Sequence, residues 1–244
     1  MTERTWALQR KYFGRDVHPY RVLEQRVESL LGAQSTVLDA GCGRGAPVLL
    51  KYADKAKRLI GVDLVDFTCA DPRLELYKTD LAQVPVADAC VDLIYSRSVV
   101  EHLSDPTHVF TEMCRILKPG GRFIFLTANL WDYASIIARI IPNRFHPAIV
   151  ARVEGRAEED TFPIQYKANT RRAVARHAAA SGLAVERFEY LGQYPNYFMF
   201  SAPLFLIATA YQKTIQRVRP LNFLQGWIFV TLQKPADHGD GTAR

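Results

Sequence analysis

The chain has 244 residues, 48% of them hydrophobic, with 31 Lys and Arg against 25 Asp and Glu and a formal net charge of +6. That length and apolar share suit one large α/β domain with a sizeable core, and no internal repeat or low-complexity segment is present. The four cysteines (Cys42, Cys69, Cys90, Cys114) form no C-x-x-C pair and no metal spacing, which excludes a disulfide or zinc framework and points to a reduced, cytosolic setting.

The positive charge suits anionic partners such as phospholipid head groups or nucleic acid. No long Lys/Arg run concentrates it, so a solvated surface accounts for it equally well. Met1 to Trp6 lacks an apolar run, so no signal peptide is expected.

Residues 1–35 precede the first strand and are expected to form a helical cap. Pro19 to Leu31 places Val22, Val27, Leu30 and Leu31 at helical spacing. Trp6, Tyr12 and Phe13 either line a substrate mouth or simply pack, and burial is the commoner use of large aromatics.

Thr36 to Leu38 is β-branched and apolar and reads as a buried strand, with Asp39 where it ends. Gly41, Gly43 and Gly45 follow at every second position, and Ala46 to Ala53 reads as a helix. Strand, glycine turn and helix make a nucleotide-binding corner. Glycine permits positive φ and lets a ligand approach the backbone, and a helix start offers unpaired N–H groups. The pattern Asp-x-Gly-x-Gly-x-Gly differs from the dinucleotide fingerprint G-x-G-x-x-G in its leading acid and its spacing. A carboxylate at Asp39 would repel a pyrophosphate and suits a ligand with positive charge, such as an amino group or a sulfonium.

Arg58 to Leu64 reads as a second strand ending in Asp63, one βαβ unit after Asp39. An acid there accepts hydrogen bonds from ribose hydroxyls in a doubly wound sheet. Leu74 to Lys78 reads as a third strand, and Thr79-Asp80-Leu81 as the turn after it. Val91 to Ser96 is a fourth strand, followed by Val99-Val-Glu-His-Leu103. Asp105-Pro106 starts a helix that runs to Leu117 with Val109, Phe110, Met113, Ile116 and Leu117 on one face. Lys118-Pro-Gly-Gly121 stops it, and Gly121 to Thr127 is a fifth strand.

The first motif, together with S-x-V-V-E-H-L and R-I-L-K-P-G-G-R-F, resembles the class I S-adenosylmethionine (SAM)-dependent methyltransferases, in the branch of quinone-biosynthesis and other small-molecule enzymes. The resemblance covers about Ser35 to Asn129. It implies a Rossmann-like sheet of seven strands, mostly parallel, with helices on both faces, one antiparallel edge strand and lid insertions. It also implies SAM as cofactor. The positions it assigns to the cofactor are Asp39, Gly41, Cys42, Gly43, Gly45, Asp63, Leu64, Asp80, Leu81, Ser96 and Arg97, with Asp63 on the ribose and Asp80 on the adenine amine.

After Asn129 the chain departs from the plain fold. Residues 130–168 are too many for a simple connection and read as a lid, with Ile136, Ile137, Ile140 and Ile141 at helical spacing beside Arg139 and Arg144. Asn169 to Gly182 is a helix capped by Asn169 or Thr170. Val185 to Leu191 and Gly226 to Leu232 are strands six and seven, an antiparallel pair at one edge in the resembled fold. Residues 193–225, where a short turn is usual, include an uncharged stretch from Tyr194 to Tyr211, with Lys213, Arg217 and Arg219 beyond it. The stretch reads as a packed apolar lid or as an element on a membrane surface, its prolines and polar residues disfavouring a span. Residues 1–235 are expected to form one methyltransferase domain and 236–244 a disordered tail.

Methyl transfer from a sulfonium is a direct displacement that depends on alignment, and a hydroxyl acceptor also needs a base. His102 lies past the fourth strand, at the carboxyl edge where open α/β sheets bind ligands. It is the candidate base, against the plain reading of a backbone-bonding residue. Glu101 is placed to orient it or to bind the methionine end, and His146 is a weaker candidate. No metal is expected. The leading reading is a methyltransferase for a small, apolar or lipid-like acceptor, with O-methylation favoured. That enzyme would be cytoplasmic, with peripheral contact at the inner membrane face through 194–219. The rivals are a nucleic-acid or protein methyltransferase, disfavoured by the lack of an aromatic-basic strip, and a non-catalytic SAM-binding, membrane-associated protein. Neither the acceptor nor the oligomeric state is readable from the sequence.

Overall fold

A computed structural model of the protein describes residues 2–140 and 162–236. Seven strands form one sheet in the order β3-β2-β1-β4-β5-β7-β6. They are β1 (Thr36–Ala40), β2 (Arg58–Asp63), β3 (Leu74–Lys78), β4 (Val91–Arg97), β5 (Leu117–Ala128), β6 (Ala184–Leu191) and β7 (Trp227–Gln233). β1 to β5 pair in parallel, and β7 runs antiparallel between β5 and β6. The antiparallel strand expected at that edge therefore lies one place in, with β6 outside it. The order of the strands reverses between β1 and β4, where open α/β sheets bind ligands.

Alternation along the strands builds a core on each face. Leu38, Ile94, Phe123 and Phe125 point to one side. There they meet α3 (Pro106–Ile116) through Phe110 and Met113, and the helix Arg171–Ala180, here α5, through Val174 and Ala178. Val37, Leu93, Tyr95, Ile124 and Leu126 point to the other, against Leu23 and Val27 of α2 (Pro19–Leu30). α1 (Glu3–Phe13) begins with a capping box at Thr2, and Thr170 caps α5.

Ala46 to Ala53 does not form the expected α-helix. It yields only a 3-10 turn, Leu49–Tyr52. Leu49 and Tyr52 are both wholly buried and stand three residues apart, the period at which 3-10 side chains align on one face. Ala46 also takes a left-handed φ of 43°, which an α-helix does not admit. The stop at Lys118 to Gly121 differs too. α3 ends at Ile116, Leu117 already pairs with Val91, and the ladder resumes at Leu93 and Arg122 after a register shift. The glycine stretch is thus a bulge inside β5.

Of the expected lid, α4 (Tyr133–Ile140) is present. Ile141, Arg144 and His146 fall outside the described residues, as does 237–244 of the expected tail. The uncharged stretch after β6 becomes a 3-10 turn, Asn196–Phe198, and a 16-residue helix α6 (Ala202–Arg217). One side of α6 is packed on the domain, with Phe205 wholly buried against Phe13 of α1 at 6.3 Å between ring centres. Phe13 thus packs, whereas Trp6 and Tyr12 are each 39% exposed. No helix of the described residues is long and apolar enough to cross a membrane.

Candidate functional site

The carboxyl ends of β1, β2, β3 and β4 open on one cleft of about 540 Å³. The turn after β1 forms its floor. Gly41 has φ 87° and donates its N–H to the Val62 carbonyl at 2.8 Å. A Cβ on Gly41 would stand 2.2 Å from a methyl of Val99, which belongs to the loop after β4. Only glycine allows that approach. Gly43, with φ 72°, is the crest of the turn. Its N–H donates to Oδ2 of Asp63 at 2.7 Å, and nothing lies within 4 Å of where its Cβ would be.

Asp63 ends β2, and its other oxygen accepts from the N–H groups of Leu64 at 2.7 Å and Val65 at 3.3 Å. Asp80 closes an Asx turn by accepting from the Ala82 N–H at 2.8 Å. Gly41, Gly43, Asp63, Leu64, Asp80, Leu81, Arg97 and His102 all line the cleft. The motifs therefore converge on one site.

Other expected residues stand behind the wall. β1 runs one residue past Asp39, whose side chain is buried and accepts from the hydroxyl of Tyr95, its β4 neighbour, at 2.8 Å. Burial pushes its pKa up to about 7, against the hydrogen bond from Tyr95 and the charge of Arg97. Cys42 is buried in the core beneath the turn. Ser96 is buried as well and donates to the Ala40 carbonyl at 2.7 Å, tying β4 to the end of β1. Cys42, Gly45, Asp39 and Ser96 are absent from the lining.

The buried carboxylate of Glu101 accepts from Thr127 of β5 at 2.6 Å, and its carbonyl accepts from Gln165 at 2.7 Å and Tyr166 at 3.1 Å. Nδ1 of His102 lies 3.2 Å from the Pro163 carbonyl, which can only accept. A hydrogen bond there requires the proton on Nδ1, which in the neutral ring leaves the lone pair on Nε2.

Sequence reasoning missed Tyr20. It reaches the cleft from α2, placing its ring 4.6 Å under the Arg97 guanidinium and its hydroxyl 3.1 Å from Ser98. Arg97 also approaches Glu24 at 3.8 Å. Glu24 is buried, which would raise its pKa, but Lys51 at 2.8 Å and Arg21 hold it below the usual carboxylate range. No local signal in the sequence joins α2 to the glycine turn. Phe162 and Gln165 complete the lining on the side of His102.

Known proteins carry the same frame. A family model described as a methyltransferase domain matches residues 38–125, the segment from β1 to β5 that supplies the turn, Asp63, Asp80 and Arg97. A probable SAM-dependent methyltransferase of Mycolicibacterium smegmatis is 34% identical over 158 residues, 59% of this chain and 60% of that protein. Residues 38–125 thus match the methyltransferase domain family, and the chain is similar to SAM-dependent methyltransferases.

A malonyl-[acyl-carrier protein] O-methyltransferase of Hahella chejuensis is 35% identical over 112 residues, 41% of this chain and 40% of that protein. The chain thus spans about 60% and 40% of the length of these two relatives. A SAM-dependent methyltransferase of Mesorhizobium loti shares the fold with a TM-score of 0.55 at 17% identity, over 90% of this chain and 99% of that one. Geranyl diphosphate C-methyltransferase of Streptomyces coelicolor shares it at 0.54 and 17%, over 88% and 79%.

The family's cofactor fits the cleft. The open space above Gly43, which a Cβ would fill, lies beside the Asp63 carboxylate and one strand from Asp80. Both acids keep acceptor capacity beyond their backbone bonds, as hydroxyl and amino donors require.

Proposed function

We propose that the protein is a SAM-dependent methyltransferase acting on a small, apolar or lipid-like acceptor, with O-methylation favoured. One observation carries the cofactor part. Gly43 of the β1 turn, Asp63 of β2 and Asp80 of β3 face a single cleft at the carboxyl edge of the sheet. Asp63 would accept from the ribose hydroxyls and Asp80 from the adenine amine. Arg97, steadied on Tyr20, would meet the carboxylate of the methionine end. Bound SAM supplies an activated methyl group on a sulfonium. The protein's part is then alignment, exclusion of water and removal of the acceptor proton.

In this reading Nε2 of His102 takes the proton of an acceptor hydroxyl, because the Pro163 carbonyl fixes the proton on Nδ1. Glu101 acts at a distance, holding 165–166 and β5 together. Residues 1–235 act as one domain, and the protein works in the cytoplasm with peripheral contact at the membrane through 194–219. One relative is a malonyl-[acyl-carrier protein] O-methyltransferase and one structural neighbour a geranyl diphosphate C-methyltransferase; the first supports O-methylation and the second an acceptor with an apolar isoprenoid part. Incubating cell extract with the protein and methyl-labelled SAM, then searching by untargeted mass spectrometry, tests the reading. A labelled apolar product is expected. Label in nucleic acid or protein alone, or no transfer by a protein that binds SAM, overturns it.

A further inference from the structure

The outward side of α6 is apolar along most of its length. Phe200, just before the helix, is 63% exposed and Ile207 is 68% exposed, with Leu204, Leu206 and Tyr211 also open to solvent. The inward side, Phe205, Ala208, Gln212 and Ile215, is buried. The helix is thus apolar on both sides at its start, which packing in one lid does not require. Single exposed apolar residues are ordinary, but a contiguous stripe marks a contact surface.

Charge on this part of the chain has one sign. Between Glu189 and Asp237 there is no Asp or Glu. Lys213 pairs with Asp16 of the α1–α2 loop at 2.9 Å. Arg217 and Arg219, at the end of the helix, are exposed and pair with no acid among the described residues. An uncharged stripe leading to unpaired arginines, with aromatic rings at each end in Phe200 and Tyr211, has the make-up of a helix lying in a bilayer interface. At 16 residues it is about 24 Å long, too short to span a bilayer.

We propose that α6 is an interfacial helix that docks the protein on an anionic phospholipid surface. Its exposed stripe enters the head-group boundary, and Arg217 and Arg219 sit over lipid phosphates. This deepens the peripheral-membrane part of the reading above and rests on it. A second copy of the chain is the poorer occupant. A two-fold contact would bring the same acid-free face against itself and leave the arginines without a counter-charge. The surface also leads inward. Tyr211 meets Tyr133 edge-on at 6.0 Å, and Tyr133 opens α4, which follows β5 at the carboxyl edge of the sheet. An acceptor drawn from the lipid layer would start beside the site.

Co-sedimentation of the full-length protein with vesicles decides it, using phosphatidylcholine alone and phosphatidylcholine mixed with phosphatidylglycerol, at low and high salt. Binding to the anionic vesicles that weakens with salt is expected. Arg217→Ser and Arg219→Ser should each lower the partition coefficient about five-fold, and Leu204→Glu with Ile207→Glu should abolish binding. All four substituted side chains are exposed, and near-UV circular dichroism with calorimetric SAM affinity checks that each variant is folded. No binding of the intact protein to either vesicle, or binding untouched by the glutamates, overturns the proposal. So does a dimer that the glutamates dissolve, which would assign the stripe to a second copy. Each of these results leaves the methyltransferase reading standing if SAM still binds, and loss of SAM binding by the intact protein sinks that reading instead.

Discussion

Asp63 holds the Gly43 N–H at 2.7 Å, so the acid at the end of β2 braces the crest of the turn that follows β1. One carboxylate thus shapes the floor of the cleft and faces its interior. Asp63→Ala should weaken SAM binding by about 1.5–3 kcal/mol, the range for hydrogen bonds that involve a charged group. Calorimetry measures it. A ribose role also requires that the unsubstituted protein bind a 2′,3′-dideoxy analogue more weakly than SAM. Equal affinities would leave Asp63 with the turn alone.

Gly43 and Gly45 make a matched pair for testing the cradle. Both have open space where a Cβ would stand, but only Gly43 has a positive φ and lines the cleft. Gly43→Ala should therefore lower stability by about 1–2 kcal/mol through the left-handed backbone and weaken SAM binding further by filling its space. Gly45→Ala should do neither. Thermal melts with and without SAM separate the two effects. Equal behaviour of the two variants would remove Gly43 from the ligand surface.

The turn was legible in the sequence because its requirement is local. Gly41 and Gly43 take positive φ within a few residues of the strand that ends there, and Asp63 falls at a strand end that an apolar run announces, whereas Asp80 reads locally as a turn residue and only the family resemblance gave it a ligand role. What was not legible depends on partners far along the chain. Asp39 looks like a strand-end acid until the ladder shows it opposite Gly61 and Tyr95, one residue short of the end. The bond from Thr127 of β5 to the Glu101 carboxylate joins residues 26 apart, with no local pattern to announce it. The missing helix after Gly45 follows from burial of Leu49 and Tyr52 at a three-residue spacing, which a short apolar run does not distinguish from an α-helical one. Tyr20 enters from α2 with no sequence pattern to place it.

His102 can be tested apart from cofactor binding. If Nε2 accepts the proton of a hydroxyl, His102→Ala should cut kcat by about 10²–10⁴-fold while SAM affinity changes little. A loss of less than ten-fold would reduce His102 to a tether for the Pro163 carbonyl.

Asp39 should make stability fall as pH rises. Its folded pKa is raised to about 7 by burial from an ordinary value of 3.8. Between those values the unfolded chain has released a proton that the folded chain still holds, so stability is fullest below about pH 4 and is lost as pH climbs through 7. The slope approaches about 1.4 kcal/mol per pH unit within the window. Asp39→Asn keeps an oxygen to accept from Tyr95 and removes the titration. Measured by denaturant unfolding, the variant should gain on the unsubstituted protein steadily from pH 5 to about pH 7 and then hold a constant advantage. Parallel pH curves would show that Asp39 is ionised throughout, and its buried charge would then need a counter-charge closer than Arg97. If SAM binding favours the ionised form, SAM should flatten the slope of the unsubstituted protein and leave that of Asp39→Asn unchanged.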